Sequence, residues 1–409
     1  MEQRLLHTPE GVRDIYSGEY ARKKALQEKL HRVIESYGYC DIETPTFEYF
    51  DVFSREVGTI PSRDLYKFFD REGNTLVLRP DMTPAIARAY AKYFSEEDLG
   101  VRLSYMGNTY INNSSFQGRL KETTQLGAEL LGDGSVEADA EITAMIVELL
   151  LKAGLKDFQV SIGQVEFFRS LLLEAGVDET TGQELKKLIT NKNNFGVENL
   201  LEELHLNAEL TDIFKSLPQM FGNVEILDRA GSMTKNKGAL EAIARLRTLY
   251  EILKKYGYEK YVSFDLGMIG SYMYYTGVIF RAYTFGTGDA IVKGGRYDQL
   301  LGHFGKPAAS VGFVVQIDQL LNALSRQKIE VPTEEGPMLL LYEANRRDEA
   351  IQEAVKLRNE GGKAALMMRR SDLELAHYAA YAKRNDLKGI LYFAENGETK
   401  QIQPQEVTA

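Results

Sequence analysis

Apolar residues recur at helical spacing between residues 17 and 37, where Leu26, Leu30, Val33, Ile34 and Tyr37 share one face. Ser17 offers an N-cap and Gly38 a stop. Residues 39–45 then read as an extended strand ending at Pro45. Two apolar runs, 65–69 and 75–78, flank the turn Asp70-Arg71-Glu72-Gly73-Asn74 and predict a hairpin over 64–80. A helix follows over 83–94, then strands over 101–110 and 122–132 on either side of the polar run Asn112-Asn113-Ser114-Ser115. The spacing predicts a helix over 136–153 and a short strand over 159–163.

The pattern from about 165 to 225 is helical and polar, with an Asn/Lys-rich break at 191–194, and reads as a helical insertion. Strands are expected again at 261–266, 272–283 and 289–292, and a helix beginning near Ser310 or Gln316 closes the main domain, 1–325. The charged segment 326–336, with its Pro and Gly, reads as a linker. Beyond it, 337–409 alternates strand (338–342), helix (346–360), strand (364–368), helix from Ser371 and strand (389–393), the signature of a small α/β domain. Ser371 with Glu374 three positions on forms a candidate capping box. The expected class is α+β: a mostly antiparallel sheet flanked by helices, followed by that α/β domain.

Composition narrows the function. At 409 residues and 44% hydrophobic content the chain can build two or three domains with full cores. A net charge of −10 and a pI near 5.3 argue against non-specific nucleic-acid binding, which runs on Lys and Arg against phosphate. The last domain holds 11 basic and 11 acidic residues, so it carries no electrostatic footprint for RNA. One cysteine, Cys40, excludes an intrachain disulfide. His7, His31, His205, His303 and His377 show no metal spacing, so no metal or other cofactor is expected. No signal peptide or run of about 20 apolar residues is visible, and the cytoplasm is the expected compartment, with no membrane partner.

Several runs carry a resemblance. Thr8-Pro9-Glu10-Gly11-Val12-Arg13-Asp14 is similar to the opening of class II aminoacyl-tRNA synthetases of the histidyl type. Residues 38–45 with Glu48 resemble their first class motif, a dimer-interface element. Leu78-Arg79-Pro80-Asp81-Met82-Thr83 resembles the amino-acid-binding loop, Gly118-Arg119-Leu120-Lys121-Glu122 and Gly294-Gly295-Arg296-Tyr297-Asp298 the surrounding frame, Tyr274-Tyr275-Thr276-Gly277 the histidine-specific segment, and Val311-Gly312-Phe313 the third class motif. Their common order and spacing make the resemblance specific, and it implies a class II synthetase-like domain followed by a module resembling an anticodon-binding domain.

Against that family's pattern, three arginines are missing. Where Tyr-x-Gly-x-x-Phe-Arg is expected the chain reads Tyr105-Met106-Gly107-Asn108-Thr109-Tyr110-Ile111. Where Arg-Gly-Leu-Asp is expected it reads Gly270-Ser271-Tyr272-Met273, and the arginine of the third motif is Gln319. Adenylate synthesis loads negative charge onto a phosphate, and each preorganised donor lost costs roughly 10²–10³ in rate. The amino-acid side is kept: the resemblance places Asp81, Met82, Thr83, Gln125, Glu129, Tyr274 and Tyr275 around a histidine or an analogue. The same residues also admit plain readings. Asp81 and Glu129 could be structural ion-pair carboxylates. Tyr274 and Tyr275 sit on a strand-like segment, so one of them could be core. Arg79 could be a structural salt-bridge residue, and Arg296 with Asp298 could shape a turn.

A synthetase-like chain with these losses is similar to the regulatory subunits of ATP phosphoribosyltransferase. That resemblance implies a non-catalytic chain that binds a short catalytic subunit at the first step of histidine biosynthesis, in a hetero-octamer built on a synthetase-like dimer. Such a chain takes L-histidine as feedback effector and binds no tRNA. The alternative is a divergent histidyl-tRNA synthetase.

Overall fold

The computed structural model describes residues 6–53, 60–113, 119–270 and 274–403. Ser114, Ser115, Gly118, Ser271, Tyr272 and Met273 lie outside the described residues, and with them the start of the strand expected at 272.

The elements up to residue 153 are α1 (Ser17–Ser36), β1 (Cys40–Asp41), β2 (Phe47–Tyr49), β3 (Lys67–Phe69), β4 (Thr75–Leu78), α2 (Thr83–Tyr93), β5 (Val101–Tyr110), β6 (Glu122–Leu131) and α3 (Val136–Ala153). The predicted hairpin is present, with β3 antiparallel to β4, and β2 completes a three-stranded sheet on the other edge of β4. The extended segment expected over 39–45 shrinks to the two residues of β1. Helix α3 begins where the Ser135 side chain accepts from the Ala138 N–H, and it stops at Gly154, whose φ of +103° suits glycine.

The middle of the chain contributes β7 (Phe158–Gln164), then α4 (Val165–Ala175), α5 (Glu179–Thr190), α6 (Asn194–Leu204), α7 (Ala208–Ser216), β8 (Phe221–Gly222), α8 (Glu225–Ser232) and α9 (Lys237–Tyr256). Helical structure therefore runs well beyond residue 225. The Asn/Lys-rich break separates α5 from α6, where the Asn193 side chain caps the new helix by accepting from Gly196 N–H. Next come β9 (Val262–Asp265), β10 (Val278–Thr284), β11 (Val292–Arg296), β12 (Ser310–Gln316) and α10 (Ile317–Arg326). The strand placed at 289–292 begins only at Val292. Of the two helix starts expected, Gln316 holds, as the N-cap residue of α10, whereas Ser310 opens a strand. An unbroken apolar run such as 311–315 fits a buried strand or a buried helix equally well by pattern alone.

Among the described residues nine strands form the main sheet, in the order β1-β5-β6-β12-β11-β10-β7-β9-β8. It is antiparallel except for β1 with β5 and β7 with β9. The buried ion pairs of Asp139 with Arg296 (2.7 Å) and Arg245 tie α3 to β11 and α9. Arg296 is thus part of the core, while Asp298 shapes the following turn by accepting from the Ser310 N–H. Arg79 is also buried, and it donates to the backbone carbonyls of Thr44 and Asn108; among the described residues no close salt bridge joins it.

By compactness the chain divides into two units, residues 1–13 with 26–330 and residues 14–25 with 331–409. In the second unit β13 (Met338–Tyr342) lies between β14 (Ala364–Met368) and β15 (Gly389–Phe393), both parallel to it, and an unforeseen β16 (Thr399–Ile402) runs antiparallel to β15. Helices α11 (Arg347–Asn359) and α12 (Leu375–Arg384) complete it. The capping box is not formed: α12 starts after Glu374, which makes no side-chain cap, and Ser371 lies outside the helix. No described helix is long and apolar enough to cross a membrane.

Candidate functional site

Glu129 stands at the centre of the main sheet, on β6 between Leu103 of β5 and Gly312 of β12. The absence of a side chain at Gly312 makes room for it, because a Cβ there would overlap the Glu129 carboxylate. Glu129 is 1% exposed. Tyr297 Oη donates to its Oε2 at 2.5 Å, Thr83 Oγ1 to its Oε1 at 2.9 Å, and Tyr105 Oη to Oε1 at 3.3 Å. Burial pushes its pKa up to about 8 despite the hydrogen bonds from Tyr297 and Thr83, and the charge of Asp81 adds to the rise. The same burial, beside the same carboxylate, holds both phenols well above their ordinary range.

Asp81 precedes α2, and its Oδ2 accepts from Tyr274 Oη at 3.4 Å. Tyr274 packs edge-on against Tyr275 and Tyr297. These residues and Gln125 line a cavity of about 500 Å³. Gln125 is 7% exposed, and its Oε1 is buried without a hydrogen-bond partner among the described residues.

Six of the seven residues expected at the amino-acid end therefore meet here: Asp81, Thr83, Gln125, Glu129, Tyr274 and Tyr275. Met82 does not. It is 1% exposed and packs with Ile86 and Tyr90 in the core beneath. Tyr274 and Tyr275 precede β10 instead of lying on a strand, which frees them from strand alternation so that both line the cavity. Tyr105 and Tyr297 were missed by the sequence reading. Their signal was the company of glycine: Gly127 leaves room for the Tyr105 phenol, and Tyr297 follows Gly294-Gly295.

The other end of the cavity is lined by Ile111, Arg119, Lys293, Asp318 and Gln319, among others. Lys293 is paired with Asp289 at 2.7 Å, and Asp318 accepts from the Thr124 N–H at 2.8 Å. Gly270 has φ +83°, a conformation that an arginine side chain would strain. Elsewhere His31 lies between Asp41 (2.7 Å) and Glu35 (3.7 Å). Each ring nitrogen faces its own carboxylate, so the trio does not present three ligands to one ion.

A nine-stranded sheet with helices around it and this cavity at its centre defines a histidyl-tRNA synthetase-like protein, and the histidyl-tRNA synthetase family model matches residues 11–320. More particularly, the chain belongs to the ATP phosphoribosyltransferase regulatory subunit family. It is 38% identical to the protein of that name from Acetivibrio thermocellus, over 100% of this chain and 98% of the relative. It is also 38% identical to the one from Ruminiclostridium cellulolyticum, over 97% and 94%. A solved structure from Bacillus halodurans, described as an ATP phosphoribosyltransferase regulatory subunit/histidyl-tRNA synthetase, superposes with a TM-score of 0.85 at 34% identity, covering 95% of this chain and 98% of that one.

Proposed function

We propose that this chain is a non-catalytic subunit that binds a short ATP phosphoribosyltransferase subunit, is required for its turnover, and passes histidine inhibition to it. The observation that carries this reading is the contrast between the two ends of one cavity. The amino-acid end keeps its carboxylates and tyrosines, while the end where a synthetase grips phosphate offers Ile111 and Gln319. A glycine in the left-handed region at position 270 supports a settled loss, since simple reversion there would be strained. Without those guanidiniums the site has lost the charge-assisted bonds that adenylate formation needs. The ligand set on this reading is Asp81, Thr83, Gln125, Glu129, Tyr274 and Tyr275, with no tRNA and no metal. Histidine acts by binding the active and inactive complexes with different affinity.

The assembly on this reading is a hetero-octamer built on a synthetase-like dimer. An exposed apolar sheet face supports self-association: Phe47 and Tyr49 of β2 are 52% and 58% exposed, and Phe47 packs edge-on against Phe68 of β3. The test is turnover of the short catalytic subunit with ATP and phosphoribosyl pyrophosphate, with and without this chain, then with histidine. The expected result is activity that appears with this chain and falls with histidine. No change in turnover, together with histidine-dependent ATP–pyrophosphate exchange by this chain alone, would replace the reading with a divergent synthetase.

A further inference from the structure

We propose that a ligand bringing an ammonium group into the cavity expels a proton from Glu129, so that affinity for the ligand, and the inhibition it exerts, rises with pH. This rests on the reading above that the cavity holds a histidine-like ligand, and it goes further by making Glu129 a proton-linked switch of that site.

The hydroxyls around Glu129 can seat its carboxyl in either charge state. Three of them converge on its two oxygens: Thr83 from the start of α2, Tyr105 from β5 and Tyr297 from the turn after β11. When the carboxyl is ionised, all three protons point at it. A protonated carboxyl adds a fourth proton to the same cluster. The Thr83 hydroxyl also lies within hydrogen-bond reach of the Tyr105 phenol, which gives that proton a place. Oε1 then donates to Thr83, Thr83 to Tyr105 and Tyr105 back to Oε1, while Tyr297 still donates to Oε2. The exchange moves protons and leaves the heavy atoms where they are.

Burial and charge decide between the two states. The carboxyl is fully enclosed, and burial, with the charge of Asp81 added, holds it neutral up to a pH of about 8. Among the described residues, the groups that face it bring no positive charge. They are Tyr105 on β5, the bare Gly312 on β12, Asp81 and Thr83 at the start of α2, and Tyr297 with Tyr275 near it. Tyr39, which feels the Glu129 charge, is a phenol as well. Arg102, next to the β5 residue paired with Glu129, is taken by Glu141 at 2.8 Å, and Arg296, next to Tyr297, by Asp139 at 2.7 Å.

A cation in the cavity reverses this balance. It offsets the Asp81 charge that opposes ionisation of Glu129, and it attracts the carboxylate through surroundings that screen poorly. The proton leaves to solvent, and a carboxylate remains beside the bound cation. Where binding releases a proton, affinity rises with pH, by at most about tenfold per pH unit. The rise ends near pH 8, where the empty site has itself ionised.

The experiment is infrared difference spectroscopy of the full-length chain at pH 7 with and without L-histidine, paired with calorimetric titration in two buffers of different protonation heat. The expected result is loss of the carbonyl stretch of a protonated carboxyl on binding, with carboxylate bands in its place. The parent should also release at least about half a proton more per site than Glu129→Gln, a difference that cancels the titration of the ligand itself. Tyr297→Phe removes a donor to the carboxylate, so the pH at which the band fades in the empty protein should move upward. These spectra decide the matter even where Glu129→Gln does not fold. A band that persists with histidine bound, a band absent from the empty protein at pH 7, or equal proton exchange in parent and variant would overturn the proposal. Absence of histidine binding also overturns it, and the turnover assay then decides the regulatory reading separately.

Discussion

Glu129 concentrates the chemistry of the site in one residue. Its carboxyl is fully enclosed, its pKa is pushed up to about 8, and three hydroxyls point at it. In the unfolded chain the same group titrates at about 4.3. Between those values the native state holds a proton that the unfolded state has released. Stability therefore falls as pH rises through that window, by up to about 1.4 kcal/mol per pH unit from this group. Glu129→Gln removes the titration, so urea midpoints at pH 5, 6, 7 and 8 should decline less steeply for the variant than for the parent. Parallel profiles would mean that the carboxyl is already ionised in the empty site. Glu129 and Asp81 were legible from the runs they sit in, but the special position of Glu129 was not. That depends on Tyr105 and Tyr297, which come from β5 and from beyond β11 and meet only in the folded sheet.

At the scale of elements, legibility followed local signals. Helix α3 was readable end to end because periodicity, a serine cap and a left-handed glycine agree. The β3–β4 hairpin was readable from its polar turn. Ser310–Gln316 was not, because a strand buried in mid-sheet loses the alternation that distinguishes it from a helix. Ser371 failed as a cap because the turn through Leu373 delays α12 to Leu375, where Tyr378 is buried in the domain core. The three-stranded sheet presents a case where alternation is informative. On β2, Glu48 turns inward to Arg88 at 2.6 Å, so Phe47 and Tyr49 must turn outward. If that face joins two copies, Phe47→Asp with Tyr49→Asp buries two charges from each copy in the interface. The expected outcome in sedimentation is a shift from dimer to monomer with the far-ultraviolet spectrum retained. A double variant that sediments as the parent does would place self-association on another surface.

For the molecule as a whole, the sequence reading put a boundary at 326–336 and assigned everything before it to one domain. Compactness instead groups residues 14–25, the first half of α1, with 331–409. Within that unit Gly18 leaves room for the Asp386 carboxylate, and the positive charge of Lys24 lowers the pKa of Glu334 as a lesser contribution beside Lys363. No local pattern could reveal this, because α1 reads as one continuous amphipathic helix and the partners of its first half lie more than 300 residues away. The arrangement predicts how a truncated chain behaves. Cutting after residue 330 removes the rest of the unit to which 14–25 belong and leaves a helical segment without its packing. A helix of that length has little stability in isolation. Limited proteolysis followed by mass spectrometry should then find new cleavage within 14–25 in the truncated chain and none there in the full-length protein. Equal resistance in both would show that this half of α1 is held by the larger unit, and that the boundary read from sequence is the physical one.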